Sequence, residues 1–349
     1  MPESEPRARV ERLLAAARRL ADPHDAAGRA LRKRLLTTTR LSEPNIELGV
    51  SRCLETTATE SELESLLGST PPAPSAHVLL SGNVFVAALR GIALGLAASA
   101  QVHVRASRRD PALAEALHAL EPELFRLESE LSPRAGDRYF AYGSDETLLE
   151  LRQKLPRGVW FHPHGSGFGA VVVDASPPEP SDFAAIGLDT VLFDQRGCLS
   201  PRVVLVAGNE SAARRVATSL ASELTALERA LPPGPRSAEE AAAERRAHDA
   251  AAYAFELLEA GRGWVSLGAT FQLPPASRCL HVAFAPDPLA LLAPFAAQLT
   301  TVGTHGKSYT AELARLAPHA RVAALGSMQR PALDGPVDRR ASPSGELLR

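Results

Sequence analysis

HVLLSGNVFVAALRGIALGLAASAQVHVRASRRD, residues 77–110, decides the fold. It opens on a short apolar run, His77 to Leu80, that reads as a buried strand. The chain then turns through Ser81-Gly82-Asn83 into an apolar helix from Val84 to Ala98. Gln101 to Arg105, with apolar residues at 102 and 104, is the next strand. The apolar window from Val84 to Ala100 is interrupted by Arg90 and carries Gly91, Gly95 and Ser99. It falls short of the ~20 apolar residues of a membrane span, so it is expected to pack in a core.

The same alternation continues downstream. Asp110-Pro111 supplies an N-cap and a first-turn proline for a helix from Pro111 to about Ser129. Arg138–Ala141 is a third strand, Gly143-Ser144 caps a helix from Asp145 to Leu155, and Val159–Phe161 is a fourth strand. Strands alternating with helices argue for a parallel sheet in an α/β domain. Further strands fall at Ala170–Asp174, Arg202–Val206, Cys279–Phe284 and Leu299–Val302. Asn209 caps a long helix to about Ala230, and Leu231-Pro-Pro-Gly-Pro-Arg236 interrupts the chain. Ser237 with Glu240 forms a capping box for a helix ending near Gly261. Upstream, Arg7–Leu20 and Ala26–Leu36 are helical and residues 68–75 form a loop. The Pro-, Asp-, Arg- and Ser-rich end reads as an extended tail.

The 349 residues correspond to two domains at roughly 150 residues each. Lys+Arg 38 against Asp+Glu 40 leaves a net charge of −2, which supplies no global field for nucleic acid or an anionic membrane. Three cysteines are too few for a disulfide scaffold and suit a reducing compartment. The first residues are charged and lack the apolar stretch of a signal peptide. The expectation is a globular cytoplasmic protein without a membrane span.

Several residues could carry chemistry. Cys198 follows Gly197 between two strand runs, a setting that exposes a thiol and lowers its pKa; the alternative is a buried structural cysteine. Asn83 at a strand-to-helix junction could cap the helix or aim its amide at an oxyanion. Gly143 and Ser144 could receive a phosphate or merely cap a helix. Arg105, Arg108 and Arg109 stand at the carboxyl edge of the expected sheet, as phosphate ligands or as a solvated charge cluster. Phe161-His-Pro-His-Gly-Ser-Gly-Phe-Gly169 offers two histidines but no other placed zinc ligand, so no metal site is expected.

In order along the chain, these pieces resemble the aldehyde dehydrogenase superfamily, in particular its acyl-CoA reductase branch, similar to the fatty acid reductase component of bacterial bioluminescence. SGNVFVAALRGIALGLAASAQVHVRASRRDP (81–111), YGSDETL (142–148), FDQRGCLSP (193–201) and RVAALGSMQRPALDGPVDRR (321–340) carry the likeness. The resemblance implies a Rossmann-type parallel-sheet cofactor domain plus an α/β catalytic domain. The expected division is a helical segment 1–70, a dinucleotide-binding domain 71–163, a catalytic domain 164–318, and a C-terminal strand and tail 319–349.

The resemblance also implies roles. Cys198 matches the nucleophile and Asn83 the oxyanion-hole amide. Ser81, Gly82, Arg105, Ser107, Arg108, Gly143 and Ser144 match the cofactor-binding set. Arg108 stands near the position where an acidic residue binds the NAD ribose, which favours NADPH, with NADH possible. Where many relatives have a glutamate base, this chain has His162, or less closely His164, and His162 is the candidate proton donor. A reductase needs no base to hydrolyse its acyl-enzyme. The implied function is NADPH-dependent reduction of a fatty acyl-CoA, or an acyl carrier protein thioester, to the aldehyde, by a homo-oligomer. Oxidative aldehyde dehydrogenation and an inactive partner subunit are the alternatives.

Overall fold

The computed structural model describes residues 5–174, 176, 178–306, 308–342 and 344–349. The chain forms two compact units, one of residues up to Arg40, Ile46–Ser166 and Ala332–Arg349, the other of Leu41–Asn45 and Gly167–Pro331. Among the described residues no helix is long and apolar enough to cross a membrane.

The first unit contains α1 (Pro6–Ala21), α2 (Ala26–Thr38), half of the short α3 (Glu43–Leu48), α4 (Glu60–Gly68), β1 (Ala76–Leu79), α5 (Ala87–Ala98), β2 (Val102–Arg105), α6 (Ala112–Leu120), β3 (Arg126–Leu127), β4 (Arg138–Tyr142), α7 (Asp145–Lys154), β5 (Trp160–His164) and the terminal β13 (Glu346–Leu347). Its sheet runs β13-β5-β4-β1-β2-β3, parallel except for β13. Read from β3, that is the 3-2-1-4-5 order of a dinucleotide-binding fold. The two glycines in α5 explain its close seat on the sheet. A Cβ at Gly91 would lie 2.9 Å from Leu80 Cδ2, and one at Gly95 2.9 Å from Val102 Cγ1.

Arg90, the charge inside this apolar helix, is 1% exposed. Its guanidinium meets Glu55 at 2.7 Å and donates to Ala332 O and Gly335 O at 2.7 and 3.0 Å. A buried charge is tolerable only when paired and hydrogen-bonded in this way. The residue that made α5 a poor membrane span therefore fastens the returning C-terminal segment.

Three expectations need correction. The helix expected to reach Ser129 stops at Leu120, because Pro122 disfavours helical backbone at Glu121, which adopts φ −135°; Arg126–Leu127 then pairs with β2. The terminal segment does not remain a free tail. Residues 332–349 belong to the first unit, where β13 pairs antiparallel with β5 and Leu348 buries beside Tyr139, Val159 and Phe161. The third lies in the second unit.

The second unit comprises β6 (Phe168–Val173), α8 (Pro180–Val191), β7 (Pro201–Ala207), α9 (Glu210–Ala230), α10 (Ala238–Ala254), β8 (Glu256–Ala260), β9 (Gly263–Gly268), β10 (Leu280–Ala285), α11 (Pro288–Leu292), β11 (Leu299–His305), α12 (Thr310–Leu316) and β12 (Arg321–Ala324). Its sheet order is β12-β11-β6-β7-β10-β9-β8, parallel except for the β8–β9 hairpin. β6 and β7 are apolar along nearly their whole length, as strands covered on both faces must be. Phe168, Val172, Val203, Leu205, Leu292 and Val302 share one core cluster. Burying each such side chain contributes about 1.5–3 kcal/mol.

The helix expected to continue to Gly261 ends at Ala254. Phe255 leaves it to pack edge-on against His281, with ring centroids 4.8 Å apart, and Gly261 at φ +65° turns the hairpin. The ring contact of a half-buried Phe255 takes precedence over the helix propensity of the preceding alanines.

Candidate active site

The three cysteines differ in setting. Cys53 and Cys279 are buried, whereas Cys198 is partly exposed. Burial pushes the Cys279 thiol up to about 12, and its Sγ donates to Ser277 O. A thiol that stays protonated is a poor nucleophile. Cys198 is the cysteine whose surroundings permit covalent chemistry.

Cys198 lies on the turn between α8 and β7. Just ahead of it, Phe193, Asp194 and Gln195 stand at φ +54°, +52° and +61°. Left-handed backbone costs a residue with a side chain ~1–2 kcal/mol, so three in a row persist only where their surroundings over-determine them. Asn45 braces the first: its Oδ1 accepts from Phe193 N and its Nδ2 donates to Val191 O, both at 2.9 Å. The Asp194 carboxylate accepts from Arg278 Nε and Nη2 at 3.0 and 2.6 Å and from Gly234 N at 3.0 Å. The Gln195 amide ties two strands, donating from Nε2 to Pro201 O and Cys279 O while Oε1 accepts from Cys279 N.

The far side of the turn is held as firmly. Gln329 Nε2 donates to Ser200 Oγ at 2.8 Å and to Asp189 O at 2.9 Å. The Asp189 carboxylate accepts from Gly326 N and Met328 N, and the Thr300 hydroxyl donates to the Cys198 carbonyl. A Cβ on Gly169 would stand 2.7 Å from the carbonyl oxygens of Leu199 and Ser200, so only glycine lets β6 begin beneath this turn. Among these bracing residues, only Gly169 carried a sequence signal, a glycine at the head of an apolar strand run. Asn45, Asp189, Asp194, Arg278 and Gln329 act through partners 40 to 148 positions away, and Gln195 joins Pro201 to Cys279, 84 positions away, which no local pattern reveals.

In the first unit the strand order reverses between β1 and β4. In open parallel sheets, ligands bind outside the carboxyl ends of the strands at such a point. Ser81-Gly82-Asn83 follows β1, Arg105 ends β2 ahead of Ser107, Arg108 and Arg109, and Gly143-Ser144 follows β4. The structure brings the first two loops together: a Cβ on Gly82 would lie 2.6 Å from Ser107 Oγ and 3.2 Å from Arg109 Cβ. Ser107 Oγ accepts from Arg109 N, leaving Arg108 and Arg109 exposed. Asp110, the nearest acidic residue in sequence, turns to Thr38 Oγ1 at 2.9 Å. Asn83 is exposed, and α5 begins at Ala87 without a side-chain cap, so Asn83 does not serve as its cap.

Gly143 and Ser144 are committed locally. Gly143 N donates to His164 O at 3.2 Å, and Ser144 Oγ caps Thr147 N. Asp145 and Glu146 already occupy the positive end of α7, which disfavours a further anion there. These two residues have the geometry of a helix cap.

His162 also departs from its expected role. It is buried, stacks on Phe140 with centroids 4.5 Å apart, and faces Arg138 Nη1 at 2.8 Å from its Nε2. A guanidinium only donates, so Nε2 must accept and Nδ1 carries the proton. Burial, reinforced by the positive Arg138, lowers its pKa to about 3. It is neither a charged acid nor a base with a free lone pair at Nε2. Gly345 packs directly on its ring, where a Cβ would sit 2.6 Å from Nε2, and Arg138 Nη1 also donates to Ser344 O. His162 and Arg138 anchor the C-terminal segment. His164, pushed to about 4 chiefly by burial, stacks on Tyr142 at 4.3 Å.

A family model described as "Acyl-CoA reductase (LuxC)" matches residues 41–332. No curated protein sequence matches the chain. Among solved structures, the chain is similar to an NAD-dependent benzaldehyde dehydrogenase from Corynebacterium glutamicum, with TM-score 0.72 and 13% identity over 95% of this chain and 83% of that one. A putative methylmalonate-semialdehyde dehydrogenase from Sinorhizobium meliloti 1021, complexed with NAD, gives TM-score 0.70 and 12% identity over 98% and 83%. The glyceraldehyde-3-phosphate dehydrogenase GapN from Methanocaldococcus jannaschii, complexed with NADP, gives 0.66 and 12% over 92% and 81%. At these identities the likeness is one of fold.

Proposed function

The chain belongs to the acyl-CoA reductase (LuxC) family and has the aldehyde dehydrogenase fold, and from that premise we propose that it reduces a fatty acyl-CoA thioester to the aldehyde with NADPH through an acyl-Cys198 intermediate. The observation that carries this reading is Cys198 itself, the partly exposed thiol on a strained turn that buried polar groups hold in place.

Cys198 thiolate adds to the thioester carbonyl, and the oxyanion is stabilised by the Asn83 amide. The tetrahedral adduct expels the CoA thiolate and leaves an acyl-cysteine thioester. NADPH, when bound, would supply hydride to that carbonyl. The resulting thiohemiacetal oxyanion collapses, releasing aldehyde and regenerating the Cys198 thiolate, so no proton donor is required in the sequence. This agrees with a His162 whose Nε2 is taken up by Arg138. The oxidative alternative needs a group that activates water, and His162 with its lone pair engaged does not supply one.

Arg105, Ser107 and Arg108 fit the ribose end of a phosphorylated dinucleotide. They present guanidinium and hydroxyl donors, while Asp110 is turned to Thr38. Guanidinium donors match a 2′-phosphate, whereas a ribose diol calls for a carboxylate acceptor.

Intact-protein mass after mixing with a medium-chain acyl-CoA, before and after NADPH, tests the reading. The expected result is a gain of one acyl group at Cys198 that disappears on adding NADPH. Acyl-CoA turnover without an adduct at Cys198, or an adduct insensitive to NADPH, would overturn it.

A further inference from the structure

The left-handed run ahead of Cys198 is matched by a second strained residue across the same turn. Arg278 stands at φ +59° two residues before β10, and its partner Asp194 stands at φ +52°. The two members of one buried ion pair therefore both occupy backbone that side chains disfavour. The pair itself is dry, with side-chain exposures of 4% for Arg278 and 10% for Asp194.

Both oxygens of the carboxylate are engaged. Oδ1 takes Arg278 Nε and Nη2, while Oδ2 takes Gly234 N and lies 3.5 Å from Arg196 Nη2. Arg278 Nη1 donates to Leu231 O at 2.7 Å. The proline-rich interruption Leu231–Arg236 thus closes the back of the turn. Next to the pair, the Gln195 amide holds the backbone N–H and C=O of Cys279. Gly263 completes the fit, since a Cβ there would stand 2.1 Å from Arg278 O. Apart from Arg196, none of these groups is a sequence neighbour of the residue it holds.

We propose that Asp194 and Arg278 are the positioning residues of the nucleophile: their ion pair locks two left-handed segments against each other and so fixes where the turn presents Cys198. The inference rests on the reading of Cys198 as the acylated residue. A charged pair suits the task better than an apolar contact because it is directional. A guanidinium that gives two N–H bonds to Asp194 Oδ1 and a third to Leu231 O is held in orientation as well as distance. Misplacing a nucleophile by about 1 Å costs roughly 100-fold in rate even when binding is intact.

The test compares the unaltered chain with Asp194→Asn and Arg278→Lys. Asparagine tolerates left-handed backbone, so Asp194→Asn removes the charge without adding strain. Lysine keeps the charge of Arg278 but loses the planar fork. Three quantities are measured: the rate of Cys198 acylation by a medium-chain acyl-CoA, the rate of its alkylation by iodoacetamide, and hydrogen exchange across the chain. Asp194→Asn is expected to slow acylation roughly 100-fold, with KM for acyl-CoA and the alkylation rate changed only severalfold. Exchange should rise in peptides covering residues 192–200 and 276–280 and nowhere else. Arg278→Lys should fall between the two.

Acylation within threefold of the unaltered chain would overturn the proposal. So would loss of acylation accompanied by faster exchange throughout the second unit, since the pair would then merely hold the fold. If Asp194→Asn does not fold, Arg278→Lys decides by the same measurements. An unaltered chain that takes no acyl group would break the reductase reading instead. The clamp would then be judged on exchange alone, where unchanged protection of residues 192–200 in the variants refutes it.

Discussion

The carboxyl edge of the first sheet and the cysteine turn of the second unit solve opposite problems. At the edge, Arg108 and Arg109 are exposed on a short loop, and the residues that shape it, Gly82 and Ser107, are reached within 25 positions. At the turn, the strained residues and the cysteine loop that follows them are held by groups gathered from five separated segments: the side chains of Asn45, Arg278, Thr300 and Gln329 and the backbone N–H of Gly234. On the proposed reading, a binding edge must leave its polar groups for a ligand, so it is built from local loops. The proposed nucleophile must be held still, so the polar groups of its turn are satisfied from within the protein. The contrast explains why the two regions should respond differently to substitution.

The largest effect is expected at the nucleophile. Cys198→Ala should abolish acyl labelling and lower reduction by more than about a thousandfold, whereas Cys279→Ala and Cys53→Ala should keep Cys198 acylation within severalfold. Labelling that moved to either buried cysteine would erase the distinction among the three thiols. Next, Asn83→Ala should lower kcat about 100- to 1000-fold, the range for a lost oxyanion donor, with little change in the Kd for NADPH. An effect confined to cofactor affinity would return Asn83 to the binding edge.

At the edge itself, Arg108→Glu should weaken NADPH by roughly 10- to 100-fold, in keeping with a lost charge-assisted hydrogen bond, and leave NADH little changed. Fluorescence titration with both cofactors checks this, and equal weakening would remove the case for a 2′-phosphate. Ser144→Ala should alter cofactor affinity less than threefold while lowering stability by about 1 kcal/mol through the lost cap.

The smallest expected effect concerns His162. Its folded pKa of about 3 lies below the ordinary value near 6.5. The folded state therefore resists the proton that the unfolded chain accepts. Its contribution is fully present above the unfolded pKa and is lost as pH falls from about 6.5 towards 3, by at most about 1.4 kcal/mol per pH unit. Urea midpoints at pH 7, 6 and 5 should show a shallower decline in His162→Gln, with kcat at pH 7 within severalfold. A large loss of kcat in a folded His162→Gln protein would restore the proton-transfer role.

Much of the parallel framework was legible because its signals are local. The strands at β1, β2, β4 and β7 and the caps at Ser144, Asn209 and Ser237 lie where alternation and capping chemistry put them. The misjudged boundaries had two causes: a distant contact, as with Phe255 against His281, and an overlooked local breaker, Pro122, after Glu121. The candidate site shows the same division. Cys198 and the arginine cluster could be picked out by residue type and setting. His162, read from its position in the chain, is instead occupied by Arg138 and the backbone around Gly345.

By itself the sequence determined an α/β protein, a strand-turn-helix-strand unit with arginines at its carboxyl edge, and three cysteines of which one follows a glycine between strands. Period, capping and turn chemistry act over a few residues, and so they can be read along the chain. Only the tertiary structure decided that Arg90 fastens the returning C-terminal segment and that His162 is neutral and engaged. Only it revealed that Phe193–Gln195 are held left-handed by an ion pair 84 positions apart in sequence. Strain and burial are properties of the neighbours that folding brings together, and those neighbours have no fixed spacing along the chain.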